Sequence, residues 1–165
     1  MPTVGFKLLF VLVILRHQRR RPISLSVTGN PTAEWIVHQI TDAFPWNDAP
    51  DHMIRDRDGS YGHAVVRRLA SMGIRDHPTA PRSPWQNGHA ERLIGSIRRE
   101  CLDHIVVLGE AHLRRILTAY ATYYNDVRTH LALGKDAPAR RPIQRFGEIA
   151  ARPILGGLHH EYCRM

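Results

Sequence analysis

The sequence is poor in cysteine, with only Cys101 and Cys163. Two thiols so far apart make neither a disulfide scaffold nor a short metal-type spacing, so a reducing cytoplasm is the expected location. Lysine is almost as scarce, at Lys7 and Lys135 alone, so arginine carries nearly all the positive charge. Acidic residues are absent before Glu34. No hydrophobic run is long. The best, Leu8 to Leu15 (LLFVLVIL), has eight residues, against the roughly 20 needed to span a bilayer. Its basic cluster, Arg16 to Arg21, follows the run, whereas a secretory signal carries its charge in front. No membrane partner is therefore expected, and a buried strand explains the run better. Internal repeats and low-complexity tracts are lacking too.

What is present points to a polyanion. Lys and Arg total 23 against 15 Asp and Glu, a net charge of +8. Nucleic acid is the commonest partner for such an excess. Arginine forks match phosphate oxygens two at a time. A GC-rich genome also favours arginine over lysine, but that leaves the net charge unexplained. The 165 residues, 43% of them hydrophobic, suffice for one domain with a proper core.

The pattern reads strand, strand, helix, strand, helix, then mainly helix. Residues 6–16 are apolar on both faces of a central strand. His17 to Arg21 turns the chain. Residues 22–28 alternate Ile23, Leu25 and Val27 against Ser24, Ser26 and Thr28, the period of a half-buried strand. So short a connection makes the pair an antiparallel hairpin. Asn30 and Pro31 open a helix that ends at Pro45. The loop WNDAP leads to a short strand, His52 to Ile54, which delivers Asp56. Residues 63–72 form an amphipathic helix stopped by Gly73. Residues 74–88 read as a loop, with Asn87-Gly88 a turn signal. Helices follow from His89 to about Asp103 and from Glu110 to Asp126. From Thr129 the chain is rich in arginine and proline, and loose order is expected.

Two carboxylates stand out by position. Asp56 lies just past a strand. Glu91 sits in the first turn of a helix, 35 positions later. A strand end and a helix start can each point a carboxylate into a shared cleft. Mg²⁺ is held by one or two carboxylates with phosphate and water, and a pair of such ions clamps an in-line phosphoryl transfer. The alternatives are a turn-capping aspartate and a carboxylate placed favourably at a helix start. Asp58 is a rival ligand or a turn residue. A zinc site at His159, His160 and Cys163 is disfavoured, because the group lies in a tail.

In this order and spacing the segments resemble the retroviral-integrase-type core of DDE transposases from insertion sequences. Arg55 to Tyr61 is similar to the family's Ser-Asp-x-Gly-x-x-Tyr segment, with Asp56 at the aspartate position and Asp58 in place of its glycine. Pro84 to Gly88 followed by Glu91 resembles its Pro-x-x-Asn-Gly stretch and glutamate. Tyr124-Asn-Asp-Val-Arg-Thr-His130 resembles its Tyr-Asn-x-x-Arg-x-His stretch. The resemblance covers residues 6–142 and implies an α/β, RNase H-like mixed sheet flanked by helices. It implies an incomplete core over 1–142, with 143–165 a C-terminal tail. It also implies Asp56 and Glu91 as catalytic Mg²⁺ or Mn²⁺ ligands, DNA as partner, and homo-oligomers as an option.

The family's first aspartate has no counterpart here. Its place falls before Met1, and Glu34 sits on the helix after the hairpin. The first strand is therefore expected to be missing. Metal-dependent DNA strand transfer is then expected of a full-length parent, with this chain inactive. The alternative is a non-catalytic remnant with weak, sequence-independent DNA binding. Gln86, Asn87, Arg92, Arg98 and Arg99 are the candidate DNA contacts. Arg98 lies seven residues after Glu91, on the same helical face. Solvated helix charges and a turn-shaping role for Gln86 and Asn87 are the plainer readings.

Overall fold

The structure is a computed structural model describing residues 1–45 and 48–165, with the Pro84 side chain also outside the description. Trp46 and Asn47 of the WNDAP loop thus lie outside the described residues. β1 (Phe10–Arg16) and β2 (Arg21–Thr28) pair antiparallel, as expected of the hairpin, but the strand expected over 6–16 begins only at Phe10, with Phe6 and Leu8 exposed ahead of it. A 3-10 turn over Gln18–Arg20 joins them. The alternation of β2 is broken by a register shift opposite Ile14 and Leu15. Val27 and Leu25 pack into one core while Ile23 packs into another. One extra residue in a strand turns the following side chains to the opposite face, so Ile23, Leu25 and Val27 do not share the face their spacing suggests.

β1 is apolar on both sides because both are covered. Val11, Val13 and Leu15 pack against a core of Leu93, Ile97, Leu113, Leu117, Tyr120 and Tyr124. These residues come from α3 (Gly88–Glu100) and α4 (Glu110–Asp126). Leu12 and Ile14 face the second core, built from Ile36, Ile40, Phe44, Val65 and Leu69. Those residues lie on or beside α1 (Ala33–Ala43) and α2 (His63–Ser71). Period-two side chains on a strand between two helical layers produce this division.

The start of α1 falls later than Asn30 and Pro31 suggest. Thr32 is the cap, and its hydroxyl accepts from the Trp35 amide at 3.1 Å, satisfying one of the open first-turn donors. β3 (His52–Arg55) pairs parallel with β4 (Arg75–Pro78) across α2. The 74–88 segment therefore contains a strand as well as loop. Gly73, at φ +73°, makes the left-handed turn that lets Ile74 drop into the second core.

The expected mixture of antiparallel and parallel pairing is present in an α/β fold. The two pairs nevertheless remain separate two-stranded sheets among the described residues. The expectation of loose order from Thr129 is corrected. β5 (Ile149–Ile154) and β6 (His159–Arg164) form an antiparallel hairpin. His159 fastens it to the body by hydrogen bonding the Glu100 carbonyl at 2.7 Å and stacking on Tyr123, centroids 4.1 Å apart.

Candidate active site

β3 ends at Arg55, so the chain leaves the sheet as Asp56 is reached. Arg55 is pinned by two hydrogen bonds to the Asp76 carboxylate on β4, at 2.9 and 2.8 Å. Its guanidinium lies 5.1 Å from the centre of the Tyr61 ring. Arg57 donates to the Thr79 carbonyl at 2.6 Å. Both flanking arginines thus brace the segment, and Asp56 between them stays exposed. Asp58, the rival ligand, accepts from the Ser60 hydroxyl and amide. Those bonds hold its carboxyl below the ordinary aspartate range, and its role is turn capping.

Glu91 lies in the first turn of α3 and is also exposed. Asp56, Asn87 and Glu91 line one cavity of about 450 Å³. The sequence separates the two carboxylates by 35 positions; the fold opens them onto the same space. Among the described residues neither forms an ion pair. No group of three or more His, Cys, Asp or Glu suited to a metal occurs among those residues.

Tyr61, on the wall of this cavity, has its phenol pushed up to about 12. Burial is the main cause and the Asp56 charge adds to it, while Arg55 opposes. Arg16 and His17 belong to the same wall. His17 meets His89 edge-on, centroids 5.2 Å apart. Burial and the charges of Arg20, His17 and Arg92 hold His89 below the usual histidine range. Of the arginines on this wall, Arg16 pairs with Asp48 and Arg55 with Asp76. His17 and Arg20 of the hairpin turn were not among the residues singled out from sequence; their basic cluster was the available signal.

Gln86 uses its side-chain carbonyl to accept from the Ala80 amide at 2.6 Å, which folds the loop before α3. Arg92, Arg98 and Arg99 are exposed. Their side chains make no hydrogen bond or ion pair among the described residues. Arg98, Arg99, Glu91 and Asp103 line a second, shallower depression, so the shared face expected of Glu91 and Arg98 exists. Other arginines are tied up in structure. Arg19 binds Asp136 and the Pro138 carbonyl, each at 2.7 Å. Arg128 grips Glu100 at 2.8 and 2.6 Å.

The Tyr124–His130 stretch therefore has a visible task. Arg128 ties the end of α4 to the end of α3, and Tyr120 adds its hydroxyl to Glu100 at 2.9 Å. His130 packs edge-on against Tyr124, centroids 4.7 Å apart. Residues 72–138 match the family described as integrase core domain. Over that stretch, less than half of its length, the chain is similar to an integrase core domain. The match takes in β4, α3 with Glu91, α4 and the Arg128 clamp.

Two insertion-element proteins are similar to the chain as well. An uncharacterized 39.2 kDa protein of insertion element IS476 from Xanthomonas euvesicatoria is 22% identical over 130 residues. That alignment covers 78% of this chain and 38% of the relative. An uncharacterized 31.7 kDa protein of insertion element IS407 from Burkholderia multivorans is 31% identical over 80 residues, or 48% of this chain and 26% of its own length. The chain thus spans well under half of the curated relatives it matches. Among solved structures, a chain of the simian T-cell lymphotropic virus intasome in complex with PP2A regulatory subunit B56 gamma is similar in fold. Its TM-score is 0.53 at 14% identity, covering 93% of this chain and 65% of that one. No helix among the described residues is long and apolar enough to cross a membrane.

Proposed function

We propose that the chain is part of an integrase core that serves DNA integration or transposition, with Asp56 and Glu91 as its metal-binding carboxylates and a DNA phosphodiester as substrate. The observation that carries the reading is that two exposed carboxylates without an ion-pair partner among the described residues, distant in sequence, open onto one cavity. The donor set fits a hard divalent ion: carboxylate oxygens suit Mg²⁺ or Mn²⁺, and water and phosphate complete the shell. When bound, the metal supplies charge neutralisation at the reacting phosphate. The protein's own residues supply positioning. Arg55 and Arg57 hold the Asp56 segment to β4, Gln86 sets the loop before α3, and Arg92, Arg98 and Arg99 offer forks to flanking phosphates.

Asp56 and Glu91 would hold one hard divalent ion, and a two-ion site would need a further carboxylate. We therefore assign the strand-transfer chemistry to a full-length parent, in a homo-oligomer on DNA, and little or none to these 165 residues alone. The alternative, a non-catalytic DNA-binding remnant, is favoured by the same observation that no third metal-type ligand joins the pair among the described residues. The test is strand cleavage and joining with Mn²⁺ on DNA bearing the element's ends. The chain alone is expected to be nearly inactive. A form carrying one more N-terminal strand with an aspartate is expected to be active, and Asp56→Ala is expected to abolish that activity. Activity that survives Asp56→Ala removes the site assignment.

A further inference from the structure

His52 and His77 have no part in the carboxylate site, yet the fold sets them against each other. His52 opens β3 and His77 lies on β4. In the parallel register His52 stands opposite Arg75, and Ile54 opposite His77. Side chains alternate faces along a strand, so His52, Ile54, Arg75 and His77 share one face of the pair. Met53, Arg55 and Asp76 share the other, where Met53 packs against the second core and Arg55 grips Asp76. The histidine face is the outer one. Both histidines are exposed, and Ile54 beside them is 39% exposed.

The rings meet nitrogen to nitrogen. His52 Nδ1 lies 2.8 Å from His77 Nε2, with ring centroids 4.9 Å apart and planes at 49°. One ring donates its N–H and the other accepts. Such a bond adds little to stability, because water serves two exposed rings as well. The same contact brings two ligand atoms to one point. An ion bound tetrahedrally at about 2.0 to 2.1 Å from each nitrogen holds them about 3.3 Å apart, so the rings need separate by only about half an ångström. Small rotations of exposed side chains supply that. The donating ring shifts its proton to its other nitrogen, and both rings stay neutral, as ligands must be. Among the described residues neither outer nitrogen, His52 Nε2 or His77 Nδ1, has a hydrogen-bond partner that would oppose the shift.

A chelate also needs rings that are in place before the ion arrives. The ladder of β3 and β4 provides this. The Arg55–Asp76 pair fixes the register from the inner face, with side chains only 12% and 17% exposed. No third His, Cys, Asp or Glu suited to a metal joins the two histidines among the described residues, and Arg75 has no lone pair to offer. Water therefore completes the shell, and the ion is exchangeable, unlike one in a closed structural zinc site. Ligand chemistry separates this pair from Asp56 and Glu91. Imidazole suits zinc, copper and nickel, whereas carboxylate oxygens suit magnesium and manganese.

We propose that His52 and His77 form a two-histidine chelate for a transition ion of the Zn²⁺ or Cu²⁺ class, which clips β3 to β4 on the outer face as Arg55 and Asp76 do on the inner one. The clip lies four residues before Asp56 and steadies the strand that delivers it. The inference stands on strand register and ring contact and does not require the strand-transfer reading.

The test titrates the intact, metal-free chain with Zn²⁺ and, separately, with Cu²⁺. Zn²⁺ should raise the melting temperature by roughly 3 °C or more, and excess Mg²⁺ should not reverse the rise. His52→Gln and His77→Gln should each weaken Zn²⁺ binding at least about tenfold, since even a partner one step removed from a metal carries that much. His160→Gln and Glu91→Gln should leave it unchanged. Cu²⁺ on the wild type should show electron-spin coupling to two imidazole nitrogens, a readout that stands however the variants fold. Coupling to one imidazole or none would overturn the chelate. So would a Zn²⁺ response that is absent, or equal in the wild type and both histidine variants. A response lost in Glu91→Gln would place the ion on the carboxylates and overturn it too. DNA cleavage is not a readout, so failure of the strand-transfer reading leaves these signals untouched.

Discussion

Helix α3 carries a glutamate near each end, and the two are treated in opposite ways. Glu91, in the first turn, is exposed and has no ion-pair partner among the described residues. Glu100, in the last turn, receives the Arg128 fork at 2.8 and 2.6 Å and the Tyr120 hydroxyl at 2.9 Å. Nine positions separate them, about two and a half turns, so they project to opposite sides of the helix. The helix N-terminus favours Glu91 without any side-chain partner. At the C-terminus the same charge meets an unfavourable dipole and must be offset by Arg128. One carboxylate is consumed in holding α3 to α4, and the other is left open toward Asp56. A carboxylate without a structural duty at a strand end or helix start is the better candidate for a ligand.

The largest expected effect breaks the clamped end. Glu100→Ala leaves the Arg128 guanidinium and the Tyr120 hydroxyl without their partner. Removing one member of a buried pair costs about 3 to 5 kcal/mol. Here the side chains of Arg128 and Glu100 keep 24% and 28% exposure, so about 2 to 3 kcal/mol is expected, read by urea unfolding. A cost below about 0.5 kcal/mol would mean that the clamp is ornamental.

Acid should loosen the same end. Burial alone would raise the Glu100 carboxyl, but the Arg128 and Tyr120 hydrogen bonds and the Arg128 charge outweigh it, so the group lies below the ordinary glutamate range. A group depressed in the folded state contributes stability that is complete above its unfolded value, roughly 4.3. The contribution is lost as pH falls through the lower folded value. Unfolding midpoints should therefore drop below about pH 4.3 by more in the wild type than in Glu100→Gln, which cannot titrate. Parallel curves for the two would show that other carboxylates govern acid unfolding.

The contrast also shows what a sequence displays. β1 was legible for Phe10 to Leu15, whose continuous apolar run suits a strand covered on both faces, while Leu8 and Leu9 of the same run precede the strand. The placement of Asp56 past a strand end and of Glu91 in a helix first turn was legible, and both line one cavity. β4 was hidden: Arg-Asp-His-Pro has no apolar alternation, and it is held against β3 by its backbone ladder, the Arg55–Asp76 pair and the fall of Ile74 into the core. The β2 bulge was hidden because one inserted residue leaves the local alternation intact. The Glu100–Arg128 clamp spans 28 positions, and no local pattern marks its partners. The β5–β6 hairpin escaped because its anchor joins His159, the first residue of β6, to Tyr123 on α4, a contact no local pattern marks.

An intermediate effect concerns the arginines beyond Glu91. Arg98 and Arg99 make no ion pair among the described residues, unlike Arg128 on the neighbouring helix. DNA binding by the chain should be weak, sequence-tolerant and steeply salt-dependent. Each phosphate contact contributes about 0.9 to the slope of log affinity against log salt. Arg98→Ala with Arg99→Ala should lower that slope by about 2, and leave the melting temperature unchanged within about 1 °C. An unchanged slope would assign these side chains to solvent.

The smallest expected effect is at the open end. Glu91→Gln loses a favourable charge at the N-terminus of α3, worth about 0.3 to 1 kcal/mol. The same change relieves repulsion from the Asp56 carboxylate across the cavity, so the two terms oppose. The net change in stability should stay within about 0.5 kcal/mol, the ordinary range for an exposed substitution. Asp56→Asn should behave alike, since its flanking arginines bind Asp76 and the Thr79 carbonyl and make no ion pair with it. A small effect alone would also describe two idle surface residues, so the measurement needs a second arm with metal. An ion that binds the folded chain alone stabilises it by RT ln(1 + [L]/Kd), about 1.4 kcal/mol at tenfold over the dissociation constant. Mn²⁺ should therefore raise the unfolding midpoint of the wild type and of Glu100→Gln, but not of Glu91→Gln or Asp56→Asn. Equal Mn²⁺ responses in all four would detach the two open carboxylates from metal binding. A large loss of stability in Glu91→Gln without metal would show that Glu91, like Glu100, holds its end of the helix in place.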